Sequence, residues 1–524
     1  MRLLNLRSAK AILPWTLLTV TILYILHSSN LLSRTHPNTG TVSSVTSSSD
    51  NISVEEKLGA AEGAAMTSEI CNASSVLEDL QSDEAGQAVA AGDDQYRSIS
   101  GSSITCDRSG QNQLSHIVFA IVSSANLWQK RKQYIKLWWR PKEMRGVVWL
   151  DRKVTTYRND RLPEIRISGP TTKFNYSNRE GHRSALRISR VVSETLKLGL
   201  KDVKWFVMGE DDTVFIADNI VRLLSKYDHR KFYYIGSSSE SHAQNIYLSY
   251  SMAYGGGGFA ISYSLAEELA KMQDKCIQRY PDLYGSDDRT QACMAELGIP
   301  LTRELGFHQY DVSGDLLGLL AAHPVTPLVS IHHVDVVEPI FPTMTRIEAL
   351  HHLFDSVSLD SASVMQQSIC YDVERYWSIS ISWGYVVQII RGVISPRELE
   401  MPTRTFLNRH RRADYTAYAF NTRPVMKHPC QKPFVFYVSA SRYDRARRRI
   451  VGIYSRGKGV AHPYCRWKMD SPSKIESIVI LKRPDPLRWV KSPRRDCCRV
   501  LPQSKNTIMY ISVGNCRSGE VAEL

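Results

Sequence analysis

Residues 205–208 (WFVM) form a short, wholly apolar run that leads, one glycine later, into three adjacent carboxylates, Glu210, Asp211 and Asp212. A run this short suits a strand buried on both faces rather than a helix. Three neighbouring anions repel one another, so the strand must end where water or a cation reaches them. In open α/β sheets that place is the crevice beyond the carboxyl ends of the strands.

The surrounding chain supplies the rest of such a sheet. Residues 117–122 (IVFAIV) and 146–150 (GVVWL) are further short apolar runs, and residues 129–138 and 183–198 carry helical spacing. Strands alternating with helices predict an α/β domain with a mainly parallel central sheet over residues 111–345. Beyond about residue 342, strand-like segments at 378–393, 434–438, 475–481 and 507–513 alternate with Pro- and Arg-rich connections. They predict a β-rich, cysteine-containing C-terminal domain over 346–524.

The N-terminal part has a different composition. Residues 11–26 (AILPWTLLTVTILYIL) carry no charge, a weakly polar HSSNLL extends them to residue 32, and Arg2, Arg7 and Lys10 precede them. A helix of roughly 17–25 residues crosses a bilayer, and basic residues before it favour a cytosolic N-terminus. The expectation is a cytosolic tail at 1–10, a transmembrane signal anchor at 11–32 and a flexible, Ser- and Ala-rich stem at 33–110. A short span suits an early secretory membrane such as the Golgi, with the remainder luminal; a cleavable signal peptide is the alternative. The ten cysteines show no paired zinc spacing, so disulfides are expected, with their pairing open. Asn51, Asn72 and Asn175 head glycosylation triplets.

The net charge of +14 raises nucleic acid as a partner. No zinc-finger, basic-zipper or aromatic RNA-binding pattern accompanies it, so nucleic acid is not expected. A solvated basic face is the plain alternative.

Four signals carry chemistry. Glu210, Asp211 and Asp212 offer oxygen ligands to a hard cation such as Mn²⁺ or Mg²⁺; an acidic helix-entry turn is the ordinary alternative. Gly255, Gly256, Gly257 and Gly258 permit close approach of a substrate to backbone. Asp287 and Asp288, before a helical stretch, offer a general base or an N-cap. His308 offers an imidazole ligand or a structural contact.

In that order and setting, residues 116–342 resemble the Fringe-related β-1,3-glycosyltransferases. The matching stretches are 122–125 (VSSA) with Arg131 downstream, 204–215 (KWFVMGEDDTVF), 255–259, 284–290 (YGSDDRT) and 306–308 (GFH). The whole chain, with 396–402 (PRELEMP) and 494–498 (RRDCC), resembles plant Fringe-like proteins of unknown function. The resemblance implies a GT-A fold and a UDP-sugar donor. It makes Asp212 the principal metal ligand and His308 the second, with Asp211 and Glu210 supporting ribose or metal. Ser123, Ser124 and Arg131 would line a uridine pocket, the four glycines would face sugar and acceptor, and Asp288, or else Asp287, would be the base. Two departures stand out: Glu210 occupies a position commonly held by aspartate, and the animal Fringe enzymes have no such C-terminal extension. The implied reaction is inverting transfer to a glycan or glycoprotein hydroxyl. The rival expectation is an inactive luminal glycan-binding scaffold; oligomeric state is not legible.

Overall fold

The computed structural model describes residues 114–522, apart from 157, 410–414, 458–461, 491–492 and 503–506. The tail, anchor and stem expected at 1–110 lie outside the described residues, as do Asn51, Asn72, Cys71 and Cys106. Among the described residues no helix is long and apolar enough to cross a membrane.

The first strands in chain order are β1 (Ile117–Val122), β2 (Arg145–Leu150), β3 (Glu164–Ile167), β4 (Trp205–Glu210), β5 (Val214–Phe215), β6 (Tyr234–Gly236), β7 (Phe259–Ser262) and β8 (Leu301–Arg303). All but β5 form one sheet in the order β3-β2-β1-β4-β7-β6-β8. Its pairings are parallel except those of β7, which runs antiparallel to β4 and β6. This is the mixed α/β, mainly parallel arrangement expected from the apolar runs.

The period of two along β1 divides the core. Ile117, Phe119 and Ile121 enter one apolar cluster, and Val118, Ala120 and Val122 enter the other. Helices cover both faces: α1 (Trp128–Trp138) on the first, and α2 (Ser184–Ser189) with α3 (Val191–Leu196) on the second. The single helix expected at 183–198 is these two short ones, meeting at Arg190. Its guanidinium holds Glu194 and Asp274, each at 2.9 Å. Further helices are α4 (Ala217–Leu224), α5 (His242–Tyr247), α6 (Tyr263–Arg279), α7 (Asp287–Glu296), α8 (Leu317–Leu320) and α9 (Arg346–Asp360).

Next come β9 (Phe307–His308), β10 (Val312–Gly314) and β11 (Ser330–Ile331); β5, β11 and β9 form a small sheet of their own. Then β12 (Gln367–Asp372), β13 (Trp377–Ser382), β14 (Val386–Arg391), β15 (Phe406–Asn408), β16 (Phe434–Asp444), β17 (Arg449–Arg456), β18 (Ser477–Lys482), β19 (Cys497–Val500) and β20 (Ile508–Gly514) complete the chain. β15 reaches back to pair with β10, and the other eight close into a barrel. The segment 378–393 is a hairpin, β13 and β14, turning at Gly384 with φ +72°. The first apolar cluster runs without a break from Phe119 to barrel residues such as Ile389 and Ile511.

The barrel seam explains the adjacent cysteines. β12 and β19 share one paired position, Ile369 with Cys497. Cys370 and Cys498 bridge the strands beside it, and Cys497, whose side chain alternates to the other face, is bonded to Cys516. Cys276–Cys293 ties α6 to α7, and Cys430–Cys465 is the fourth disulfide. The Cys370–Cys498 bridge closes a loop of 128 residues. Replacing both cysteines by serine is expected to cost about 2–5 kcal/mol, and the Cys276/Cys293 pair, with a separation of 17, less. Chemical denaturation of both variants checks the order.

Candidate functional site

The chain leaves β1 toward β2 and β3 on one side, then returns to place β4 on the other. The crevice between the carboxyl ends of β1 and β4 is therefore a topological switch point. There Val122 pairs with Glu210 in register, so Ser123 follows on one strand and Asp211 on the other. Ser123 Oγ donates to Asp211 Oδ2 at 2.6 Å. Arg187 holds this strand end through the carbonyls of Ser123 and Trp149. The Ser124 carbonyl accepts from Leu127 and Trp128 at the start of α1.

The three carboxylates have different surroundings. Asp211 and Asp212 are buried, whereas 32% of the Glu210 side chain is exposed. Thr213 shapes the turn, accepting the Glu210 N–H through Oγ1. Arg131 projects from α1 onto Asp211 at 3.1 Å, Asp212 at 3.2 Å and Asp335 at 2.9 Å. Ser123 and Arg131, expected in a uridine pocket, are thus bound to the acidic cluster. Burial raises the Asp211 carboxyl to about 6, against the Ser123 hydrogen bond and the Arg131 charge. Burial also pushes Asp212 up, but His332 and Arg131 overcome it and hold Asp212 well below the carboxylate range.

His332 is the imidazole beside the cluster. Its Nε2 lies 3.3 Å from Asp212 Oδ1 and 3.7 Å from Glu210 Oε2. Ligand atoms of Glu210, Asp212 and His332 all fall within 4.8 Å of one another. Both Asp212 oxygens and His332 Nε2 are buried without a hydrogen-bond partner, so their capacity is turned toward this point. The arrangement follows from β11, which pairs with β5 and carries His332 alongside the turn that holds Asp212. The orientation of His332 is set from behind. Gln309 Oε1 accepts the Gly257 N–H at 2.8 Å, which identifies it as the oxygen, so His332 Nδ1, at 3.0 Å from it, carries a proton. Burial lowers the His332 imidazole, but the Asp212 and then the Glu210 carboxylates overcome it and raise it to about 10, so the ring as it stands is protonated on both nitrogens and a metal would take Nε2 by displacing that proton.

The glycine loop packs directly on this site. A Cβ at Gly256 would lie 2.1 Å from the His332 ring, and one at Gly255 would lie 2.8 Å from Asp287 Oδ1. Asp287 and Asp288 open α7 but do different work. Asp288 accepts from the backbone N–H of Gly285 and Arg289, at 2.9 and 2.8 Å, and is engaged with its own turn. Asp287 faces the Gly255 backbone; burial, then the Glu210 charge, push its carboxyl up to about 7.

His308 is not in the cluster. Its Nδ1 lies 2.7 Å from Glu240 Oε1 and its Nε2 2.9 Å from His323 Nε2. His323 Nδ1 donates to the Pro324 carbonyl, leaving its Nε2 to accept from His308. His308 Nδ1 must then accept, so Glu240 is the donor and is protonated. The titration directions agree: burial lifts Glu240 to about 8 and lowers His308 to about 3. With both ring nitrogens engaged, His308 has none for a metal. His332, Gln309 and Asp335 were not singled out in the sequence; the signal was residues 330–335 (SIHHVD), a short apolar strand followed by two histidines and an aspartate.

The protonated Glu240 has a consequence for stability. Its folded value near 8 exceeds the ordinary 4.5, so the folded state retains a proton that the unfolded chain releases. That stabilisation is complete below about pH 4.5 and lost as pH rises through about 8. Glu240→Gln keeps a donor to His308 and is expected to remove a fall of about 2–4 kcal/mol between pH 5 and 8. Urea unfolding of both proteins at the two pH values checks this.

Comparison with known proteins matches two regions of the chain. The Fringe-like family model matches residues 112–322, and that of a family described as protein of unknown function, DUF604, matches residues 244–498. Among solved structures, the catalytic domain of Drosophila β1,4-galactosyltransferase 7 in complex with xylobiose is similar at 12% identity and TM-score 0.20. That match covers 36% of this chain and 64% of that one. A mannosyltransferase from Pyrobaculum calidifontis in complex with GDP-Man and Mn²⁺ is similar at 13% identity and TM-score 0.24, covering 47% of this chain and 72% of that one. The Fringe-like match lies on the sheet and its acidic crevice, and the DUF604 match runs on into the barrel, so the chain carries a Fringe-like region followed by a DUF604 region.

Proposed function

We propose that the chain is a metal-dependent inverting glycosyltransferase of GT-A type, moving a sugar from a UDP-sugar to a hydroxyl of a glycan or glycoprotein. The observation that carries this reading is the convergence of Glu210, Asp212 and His332 on one point, with Asp287 across the Gly255 backbone from it. Two carboxylates and one imidazole suit Mn²⁺ or Mg²⁺, which when bound neutralises the diphosphate of the donor. Arg131 stays on Asp211 and Asp335 and limits repulsion within the cluster. The glycine loop packs its backbone directly on His332 and Asp287, where any side chain would displace them.

Asp287 is the base. A carboxyl held near 7 is suited to accepting the acceptor hydroxyl proton at neutral pH. The oxygen then attacks the anomeric carbon from the face opposite the departing nucleotide, and no covalent enzyme intermediate is needed. The UDP donor and a β-1,3 linkage rest on the Fringe-like match. Tyr247 and Tyr284 favour a sugar acceptor: they are 65% and 41% exposed, meet edge to face at 6.5 Å, and Tyr284 lies three residues before Asp287. Exposed aromatic faces of this kind stack on the apolar faces of sugar rings. A Golgi-luminal setting is part of the proposal, supported by the four disulfides and by the exposed Asn175.

A second reading, an inactive glycan-binding scaffold, is favoured by Arg131, which already offsets the charge of Asp211, Asp212 and Asp335. Calorimetry separates the two, since the enzyme requires UDP binding that depends on Mn²⁺ and disappears in Asp212→Ala.

Released UDP, measured across a panel of UDP-sugars, tests the base. Asp287→Asn is expected to lower transfer by about 10²–10⁴-fold while Mn²⁺-dependent UDP binding persists. Asp288→Asn keeps an acceptor oxygen for the Gly285 and Arg289 N–H groups and should cost little transfer. The reverse pattern would contradict the assignment.

A further inference from the structure

The basic charge of this protein lies in its C-terminal part. Residues 371–524 hold 29 Lys and Arg against 12 Asp and Glu, whereas residues 1–370 hold 37 against 40. Several barrel cations are paired: Lys482 with Asp360, Arg488 with Asp496, Arg495 with Glu400 and Arg499 with Glu520. The β16–β17 hairpin differs. Five arginines fall within residues 442–449, and Asp444 is the one carboxylate among them. Asp444 takes Arg447 at 3.4 Å and Arg449 at 3.6 Å. Arg442, Arg445 and Arg448 are exposed and have no carboxylate partner among the described residues.

A polar groove adjoins this hairpin. Between α9 and β16 lies a space of about 320 Å³ lined by His352, Asp355, Ser358 and Leu359 on the helix and by Ser439, Ala440 and Ser441 on the strand. Ser455 Oγ donates to Ser439 Oγ at 3.0 Å, and Ser356 and Ser441 hydroxyls lie 3.2 Å apart. The lining of the groove stops at Ser441, and the side chain of Arg442, next in the strand, alternates to the other face. We infer that the unpaired arginines of this hairpin form a binding site for an acidic polysaccharide, a hydroxyl-rich chain with repeating carboxylates.

The chemistry favours that occupant. Arginine forks pair with carboxylates in bidentate fashion, and three unpaired guanidiniums match an extended polyanion better than a single ion. No large apolar side chain of the hairpin is exposed, so it lacks the apolar anchor of a membrane-inserting loop and the stacking platform of a single-strand nucleic-acid site. The site is independent of the catalytic reading, so either can fail alone.

Calorimetric binding of the full chain to polygalacturonate tests the inference, with dextran as the neutral control. Binding is expected to weaken with salt and to be absent for dextran. The triple variant Arg442→Gln, Arg445→Gln, Arg448→Gln is expected to bind at least tenfold more weakly. A charge-matched variant on the α/β side, Lys201→Gln, Lys271→Gln, Lys275→Gln, should stay within twofold. Failure to bind, equal losses in the two variants, or tighter hairpin-dependent binding to duplex DNA or phosphatidylserine vesicles would overturn the inference.

Discussion

Burying Asp212 beside Asp211 is the constraint that organises the site. Two adjacent carboxylates inside a protein are costly unless cations and hydrogen bonds offset them. Arg131 from α1, His332 after β11 and the Ser123 hydroxyl after β1 supply that offset. Each arrives on a different element, so the sheet, the helix over it and the small β5–β11–β9 sheet must all be in place. The Trp138 indole reinforces this, donating to the Thr213 carbonyl beside the cluster at 3.1 Å. The offset at Asp212 is by charge alone, since its oxygens and His332 Nε2 make no hydrogen bond, and the partly exposed Glu210 lies beside them. A well-packed cluster with unused capacity on one side is what a cation site requires.

The second level of order lies behind His332. Gln309 takes its orientation from the Gly257 N–H and passes it to the imidazole, while its amide nitrogen donates to Asp311. Thr213 and Ser330 hold the carbonyls of Gly256 and Gly257 in turn. The glycine loop therefore acts on the histidine through hydrogen bonds as well as through the room it leaves. The barrel adds mass behind this framework, since one apolar cluster is shared by the sheet and by the barrel strands.

Much of this was legible in the sequence where the physics is local. Apolar runs of four to six residues marked β1, β2 and β4, and the acidic end of β4 marked the crevice. Neighbours in space were not legible. His308 and His332 each follow or end a short apolar segment, and only the pairing of β11 with β5 decides which one meets Asp212. Asp287 and Asp288 are adjacent and chemically alike, yet α7 turns one onto its own backbone and the other toward Glu210. Arg131 was placed with a nucleotide because its partners, Asp211 and Asp335, lie 80 and 204 residues away. The barrel was legible as strands, whereas its closure depends on β12 meeting β19, a contact fixed by long-range disulfide geometry rather than by pattern.

The central claim is that His332, and not His308, joins Asp212 and Glu210 around a divalent cation. Pulsed electron paramagnetic resonance of the protein with Mn²⁺ and UDP reads this directly, because a bound imidazole nitrogen modulates the electron spin echo. The account predicts a single nitrogen coupling that is lost in His332→Ala and retained in His308→Asn. A coupling that survives His332→Ala but disappears in His308→Asn would contradict it.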